Sequence, residues 1–103
     1  MEAFNRQVEP APAAALPVVT FSDAVSFHWN GEEIHVFHVG PAHTDGDAII
    51  HFRRANVVHM GDIFWADRYP FIDTGSGGST RGMIAAVDTV IAMISGGCPS
   101  AVR

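Results

Sequence analysis

The chain has 103 residues, of which 48% are hydrophobic, and this size suits one globular domain. Eleven acidic residues against six arginines and no lysine give a formal net charge of -5, so we expect no nucleic-acid partner. The only adjacent cations, Arg53 and Arg54, are interpreted as a solvated strand edge. A single cysteine, Cys98, excludes an internal disulfide.

No segment reaches the roughly 20 consecutive apolar residues of a membrane-spanning helix, and none has the pattern of a secretion signal. We therefore expect a soluble protein without a membrane partner, cytoplasmic by default. Residues 1–16 mix alanine, proline and isolated charges without periodicity, which predicts a flexible N-terminal arm. Residues 17–103 then form the folded domain.

Four strands are predicted in the middle of the chain. Residues 25–29 alternate apolar and polar side chains, which is typical of a half-buried strand. The Asn-Gly pair that follows favours a tight hairpin turn, with residues 33–39 as the return strand. Residues 48–52 and 56–60 are rich in valine and isoleucine, and they predict two more paired strands.

A long loop and a helix are predicted after the strands. Residues 62–79 combine aromatic residues with proline and glycine, which indicates a loop. Ser79 or Thr80 caps a helix that ends at the glycines of residues 96–97 and at Pro99. Its apolar face is predicted to comprise Met83, Val87, Val90, Ile91 and Ile94. The element order predicts an α+β fold of about four mainly antiparallel strands and one C-terminal helix.

Six histidines lie between His28 and His59. Three occupy alternating strand positions, and a solvent-facing or hydrogen-bonded structural role is favoured for them: His28, His35 and His51. His38 shares a strand face with two apolar side chains, so we expect a buried, hydrogen-bonded imidazole there.

His43 and Asp62 are the candidate metal ligands. His43 lies among small residues and two carboxylates in the loop GPAHTDGD, residues 40–47. Asp62 follows a predicted strand in HMGDIF, residues 59–64, beside a glycine that allows close approach. Loops at strand ends commonly hold ligands and catalytic groups. An imidazole with a carboxylate suits zinc or a similar divalent ion, and the carboxylate is able to bridge two ions.

These two motifs, with YPFID at residues 69–73 and SGGS at 76–79, resemble the middle of a metallo-β-lactamase superfamily hydrolase. The resemblance implies a partial αββα fold in which His43 binds the first zinc and Asp62 bridges two metal ions. The family's H-x-H-x-D-H motif and its final histidine do not occur in this sequence. We therefore expect a central fragment that is catalytically incomplete as a single chain, with zinc absent or weakly bound.

Two functional hypotheses follow from the resemblance. In the first, a second protomer or a complementing chain completes a zinc-dependent hydrolase site. In the second, the chain is a non-enzymatic remnant or binding module, in which His43 and Asp62 only stabilise loops and the SGGS segment is a flexible linker. The loop aromatics then pack as core or contact a partner: Phe64, Trp65, Tyr69 and Phe71.

A homodimer or larger assembly is expected in either case. The αββα fold is a sandwich of two sheets, so a fragment of it leaves an inner sheet face that the missing half would cover, and exposed apolar patches of that size mark interfaces. The motifs select no substrate, because one scaffold in this superfamily hydrolyses lactams, thioesters and phosphodiesters.

Overall fold

The computed structural model describes residue 7, residues 9–95 and residues 101–102. In chain order, the strands are β1 (Ala24–Trp29), β2 (Glu32–His38), β3 (Ala48–Phe52), β4 (Val57–His59) and β5 (Ala101–Val102). The α-helix α1 (Thr80–Ser95) lies between β4 and β5 in the chain. Short 3-10 helices occur at Ala13–Ala15, Gly61–Ile63 and Thr74–Ser76.

The strands form one sheet in sequence order, from β1 to β5. Strands β1 to β4 are antiparallel neighbours, and β5 pairs with β4 in parallel. The four antiparallel strands and the C-terminal helix confirm the predicted α+β fold. The sequence patterns do not predict β5, because a strand of two residues is too short to show alternation.

The turn between β1 and β2 has the predicted form. Asn30 and Gly31 both have positive φ, at 53° and 71°. They connect the paired residues Trp29 and Glu32, so the loop contains two residues only. Two-residue hairpins of this kind need positive φ at both central positions, which asparagine and glycine tolerate.

The strand register divides the sheet into two sides, because side chains alternate along a strand and paired residues point the same way. One side carries Ile49 and Val58, both fully buried. They belong to the same core cluster as three residues of α1, Met83, Ala86 and Val90. The helix therefore covers this side, which we call the helix side of the sheet.

The opposite side, which we call the open side, is also apolar. Its hydrophobic side chains are Val25, Phe27, Trp29, Ile34, Val36, Ile50, Phe52 and Val57. In β1 only Val25 is half-buried, and Phe27 and Trp29 are 46% and 69% exposed. The expectation of a half-buried first strand is therefore wrong. It fails because β1 is an edge strand and the helix packs on the other side of the sheet.

The helix begins where the sequence predicts. The Ser79 hydroxyl accepts a hydrogen bond of 3.1 Å from the backbone N–H of Gly82, so Ser79 is the N-cap. The residues predicted to end the helix, Gly96, Gly97 and Pro99, lie outside the described residues, as does Cys98.

The apolar face of α1 differs from the predicted one at one position. Met83 and Val90 are buried, and Val87 and Ile94 pack partly against the core. Ile91 is 51% exposed, so its predicted place on this face is wrong. Helical geometry turns it about 100° from its neighbour at position 90, away from the sheet.

In the predicted N-terminal arm, residues 1–16, the residues that the structure describes, 7 and 9–16, are all exposed. Its division from the domain at residue 16 stays a prediction. Within the described residues, no helix has both the length and the apolar character needed to cross a membrane.

His51 lies on the helix side of the sheet, and this overturns its expected solvent-facing or hydrogen-bonded role. Its Nε2 atom is buried and has no hydrogen-bond partner among the described residues. Burial, followed by the charges of nearby Arg53 and His35, lowers the pKa of the imidazole below its usual 6.5. A charged His51 is thus disfavoured in the folded protein.

We predict a loss of stability below about pH 6.5 that depends on His51. Because the folded pKa is lower than the unfolded one, the unfolded chain takes up the proton first as the pH falls. The destabilisation grows until the pH has passed through the folded pKa. Urea unfolding at pH 7.5 and pH 5 should show a smaller difference in His51→Gln than in wild type. The solvent-exposed His28 provides the control, and His28→Gln should retain the wild-type difference; an unchanged difference in His51→Gln would contradict the assignment.

Candidate metal site

The two predicted metal ligands come together in the structure. The Nε2 atom of His43 lies 3.6 Å from the Oδ2 atom of Asp62. The His43 side chain is 16% exposed and that of Asp62 is 67% exposed. One ligand candidate is thus held within the protein and the other reaches into solvent.

A backbone carbonyl sets the orientation of His43. Its Nδ1 atom donates a hydrogen bond of 2.5 Å to the carbonyl oxygen of Phe71, and the Phe71 ring meets the imidazole edge-on at 6.0 Å. A carbonyl only accepts, so the proton lies on Nδ1 and the lone pair of neutral His43 is on Nε2, towards Asp62. Metal-binding histidines usually show this arrangement.

Asp47 holds the loop that carries His43. Its carboxylate accepts hydrogen bonds from the N–H of Thr44 at 3.0 Å and from the Thr44 hydroxyl at 3.2 Å. The backbone carbonyl of Asp47 lies 2.7 Å from Nδ1 of His38, which is half-buried. His38 is thus hydrogen-bonded as expected, though only half-buried, and Asp47 holds the loop by accepting from the residue three positions before it.

The same loop is fixed from the other side by the segment before α1. Asp73 donates its N–H to the carbonyl of His43 at 2.9 Å, and Ser79 donates to the carbonyl of Ala42 at 2.9 Å. Ala42 is fully buried in the core cluster. The position of His43 is therefore set by backbone hydrogen bonds on both sides of it.

Two glycines permit this close approach. A Cβ atom at Gly78 would overlap the carbonyl oxygen of His43. At Gly82, in the first turn of α1, a Cβ would overlap the carbonyl oxygen of Pro41 even more closely. Any side chain at either position collides with backbone. The interpretation of the SGGS segment as a flexible linker is therefore wrong.

Asp62 is placed by a short anchored turn. It lies in the 3-10 helix Gly61–Ile63, whose flanking and final hydrophobic residues, Met60 and Ile63, are 4% and 3% exposed. The indole N–H of Trp65 donates to the Asp62 carbonyl at 2.7 Å. The two buried side chains and the hydrogen bond from Trp65 thus fix the backbone at Asp62, and its carboxylate lies beside His43.

Asp73 ends the YPFID motif, but the sequence analysis assigns it no role of its own. It is 4% exposed, and its Oδ2 atom accepts a hydrogen bond of 2.8 Å from the Ser76 hydroxyl. Its Oδ1 atom is buried without a hydrogen-bond partner in the described part of the chain. The signal for this residue is the turn-forming sequence that follows it, Thr-Gly-Ser, at residues 74–76.

Most aromatic side chains of the long loop are exposed rather than part of the core. Tyr69, Phe64 and Phe71 are 97%, 43% and 38% exposed. Trp65 is half-buried, and the guanidinium of Arg68 lies 5.7 Å from the centre of its ring. Core packing is therefore the wrong interpretation for three of the four aromatic side chains.

The remaining histidines do not join His43. His28 is exposed on the edge strand, and Nδ1 of His35 lies 3.1 Å from the Ser26 hydroxyl. His59 is exposed, and its Nδ1 accepts the N–H of Gly61 at 3.1 Å.

The spacing of His43 and Asp62 suits a single ion. Zinc binds imidazole nitrogen and carboxylate oxygen at about 2.1 Å, so two ligands of a tetrahedral ion lie about 3.4 Å apart. The observed 3.6 Å is close to that separation. Among the described residues, no group of three or more His, Cys, Asp or Glu side chains is placed to hold a metal ion. The arrangement therefore provides two candidate ligands, which is half the number in a tetrahedral zinc shell.

A comparison of the sequence with protein-family models finds no match, and a comparison with curated proteins finds none either. The metallo-β-lactamase resemblance therefore depends on the sequence motifs alone.

We predict that Gly82→Ala destabilises the protein by about 1–3 kcal/mol, because the new methyl group collides with the Pro41 carbonyl. Without that collision, alanine in a helix would stabilise by up to about 1 kcal/mol. The free energy of unfolding from urea denaturation measures the effect. Gly46→Ala is the matched control, since a Cβ there has no atom within 4 Å, and it should remain close to wild type. Equal stability of both variants would show that the loop does not approach the helix this closely.

Proposed function

We propose that this chain is the central part of a metallo-β-lactamase-fold hydrolase and contributes half of its metal site. The observation that carries the proposal is the imidazole of His43, whose Nδ1–H is held by a carbonyl while Nε2 lies 3.6 Å from the Asp62 carboxylate. The motifs around both residues support it, since they resemble those of the family at the two ligand positions.

In this proposal His43 binds the metal through Nε2, and Asp62 binds it through Oδ2. A zinc ion held there would supply a Lewis acid and an activated water, which is the chemistry of metal-assisted hydrolysis. The chain's own task is to orient the ligands. Phe71 fixes the tautomer of His43 through its carbonyl, and Trp65 holds the turn of Asp62.

The remaining ligands come from outside the described residues. Two ligands bind zinc weakly, because affinity depends on a nearly complete shell that forms with the fold. A second copy of the chain would double the half-site to four ligands around one ion. A different polypeptide that carries the H-x-H-x-D-H motif would complete it in the manner of the family.

We expect zinc to stabilise the wild-type chain and not Asp62→Asn. A free zinc concentration of 100 times Kd stabilises a folded protein by about 2.7 kcal/mol, which raises the Tm of a domain of this size on the order of 10 °C. Differential scanning fluorimetry of untagged protein, with and without zinc, measures the shift. Asp62 is 67% exposed, so its replacement by asparagine should leave the fold intact.

Asp88→Asn is the matched control, because Asp88 is an exposed carboxylate on the helix. It should keep the wild-type response to zinc, and His43→Gln should lose it. Equal zinc responses in wild type and in Asp62→Asn would leave His43 and Asp62 as a loop-stabilising ion pair, as the non-enzymatic hypothesis holds.

We also propose that two copies associate through the open side of the sheet. Its eight hydrophobic side chains include two large exposed aromatics, Phe27 and Trp29. Apolar patches of this kind on a folded domain commonly mark an interface between subunits. A two-fold pairing is the most frequent closed arrangement, and it brings identical sheet faces together.

Size-exclusion chromatography with light scattering should give a mass of at least twice 11.0 kDa for the wild-type chain. The double replacement Phe27→Ser and Trp29→Ser should shift the mass towards the monomer, because it removes apolar area from the interface. Tyr69→Ser, which removes a 97% exposed aromatic side chain from the loop instead, should leave the mass unchanged. A monomeric wild-type chain would rule out this assembly.

A further inference from the structure

A cleft lies between the helix side of the sheet and α1. Neither His43 nor Asp62 lines it. Its volume is about 510 Å³. The residues that line it are His35, Phe37, His51, Arg53, Thr89 and Met93. We propose that this cleft binds a small organic acid, namely a carboxylate with a short apolar tail.

The polar groups of the cleft favour an anion. Arg53 contributes a permanent positive charge, and His35 and His51 contribute two imidazoles. Among the described residues, no acidic side chain lines the cleft. This concentration of donors stands out in a chain whose net charge is -5. A guanidinium binds a carboxylate through two parallel hydrogen bonds, which are among the stronger ones in proteins.

A buried nitrogen in the cleft lacks a partner. His51 Nε2 is buried and makes no hydrogen bond within the part of the chain that the structure describes. Buried polar atoms are nearly always paired in native proteins. A carboxylate held by Arg53 would satisfy this nitrogen once the imidazole turns towards the cleft, since both residues line it.

The rest of the cleft is apolar, which suits a hydrocarbon tail. Phe37 stacks on the ring of His35, with ring centroids 5.6 Å apart, and Met93 faces it from α1. The hydroxyl of Thr89 is already used, because it donates to the carbonyl of Ala85 at 2.9 Å. The ligand's head therefore lies at the arginine end, and its tail lies between the sheet and the helix.

Glu33 would compete with the ligand's carboxylate for Arg53. Its carboxylate lies 3.6 Å from the Arg53 guanidinium, and both side chains are partly exposed. Exposed ion pairs of this kind are weak, so a ligand that also gains apolar contact can displace the glutamate. A metal ion fits the cleft less well than an acid does, because Arg53 repels cations.

Hexanoate is the probe for the test, followed through the methyl NMR signals of Thr89 and Met93. Hexan-1-ol has the tail without the charge, and acetate has the charge without the tail. We expect saturable shifts with hexanoate at millimolar concentration and smaller ones with both controls. Arg53→Gln should weaken hexanoate binding about tenfold, the usual effect of losing a charged hydrogen bond. Arg54→Gln, which removes the neighbouring arginine outside the cleft, should bind as wild type does.

Glu33→Gln provides a second variant that keeps all lining residues, and it should bind hexanoate more tightly than wild type. The proposal is overturned by the absence of saturable shifts with hexanoate, or by equal affinity for hexan-1-ol. Equal losses in Arg53→Gln and Arg54→Gln, or no gain in Glu33→Gln, would overturn it as well. The test uses no metal, so its outcome is separate from that of the zinc titration.

Discussion

The close approach of the His43 loop to the start of α1 is the contact on which the rest of the structure depends. The carbonyl of Pro41 meets Gly82, and the carbonyl of Ala42 accepts from Ser79. These contacts attach the loop after β2 to the helix that covers the sheet. They bury Ala42 completely and leave the next residue, His43, at the surface of the core. The site and the packing of the helix thus have a common cause in backbone contacts that only glycine permits.

Alternation and turn signals were sufficient to predict the four antiparallel strands and where the helix begins, but not the two-residue strand β5. They do not reveal which side of the sheet the helix covers, since both sides are apolar. His51 illustrates this. Strand alternation predicted a solvent-facing or hydrogen-bonded imidazole, whereas the fold places it between the sheet and α1, with its Nε2 atom buried. Ile91 shows the same limit within the helix. Five apolar residues were predicted to face the core, and Ile91 is the one that is exposed. Such choices depend on the whole fold rather than on a local pattern.

The candidate site was also predictable only in part. His43 and Asp62 were identifiable as polar residues at strand ends, and the structure brings them together. Their supports were not identifiable. The carbonyl that orients His43 belongs to Phe71, a residue 28 positions away, and any amino acid supplies a carbonyl. The burial of Asp73, the last residue of the YPFID motif, was likewise not predictable. A sequence shows side-chain chemistry directly, whereas the backbone groups that position it depend on the fold.

The parallel pairing of β5 with β4 has a consequence for the order in which the chain folds. The strands from β1 to β4 follow each other through short turns and loops, so their pairing needs only local closure. Val57 pairs with Ala101, and the long loop and α1 lie between these two strands in the chain. Closing a long segment costs more chain entropy than closing a hairpin. The antiparallel meander is therefore expected to form first, and the β5 edge should be the last part of the sheet to gain protection from hydrogen exchange.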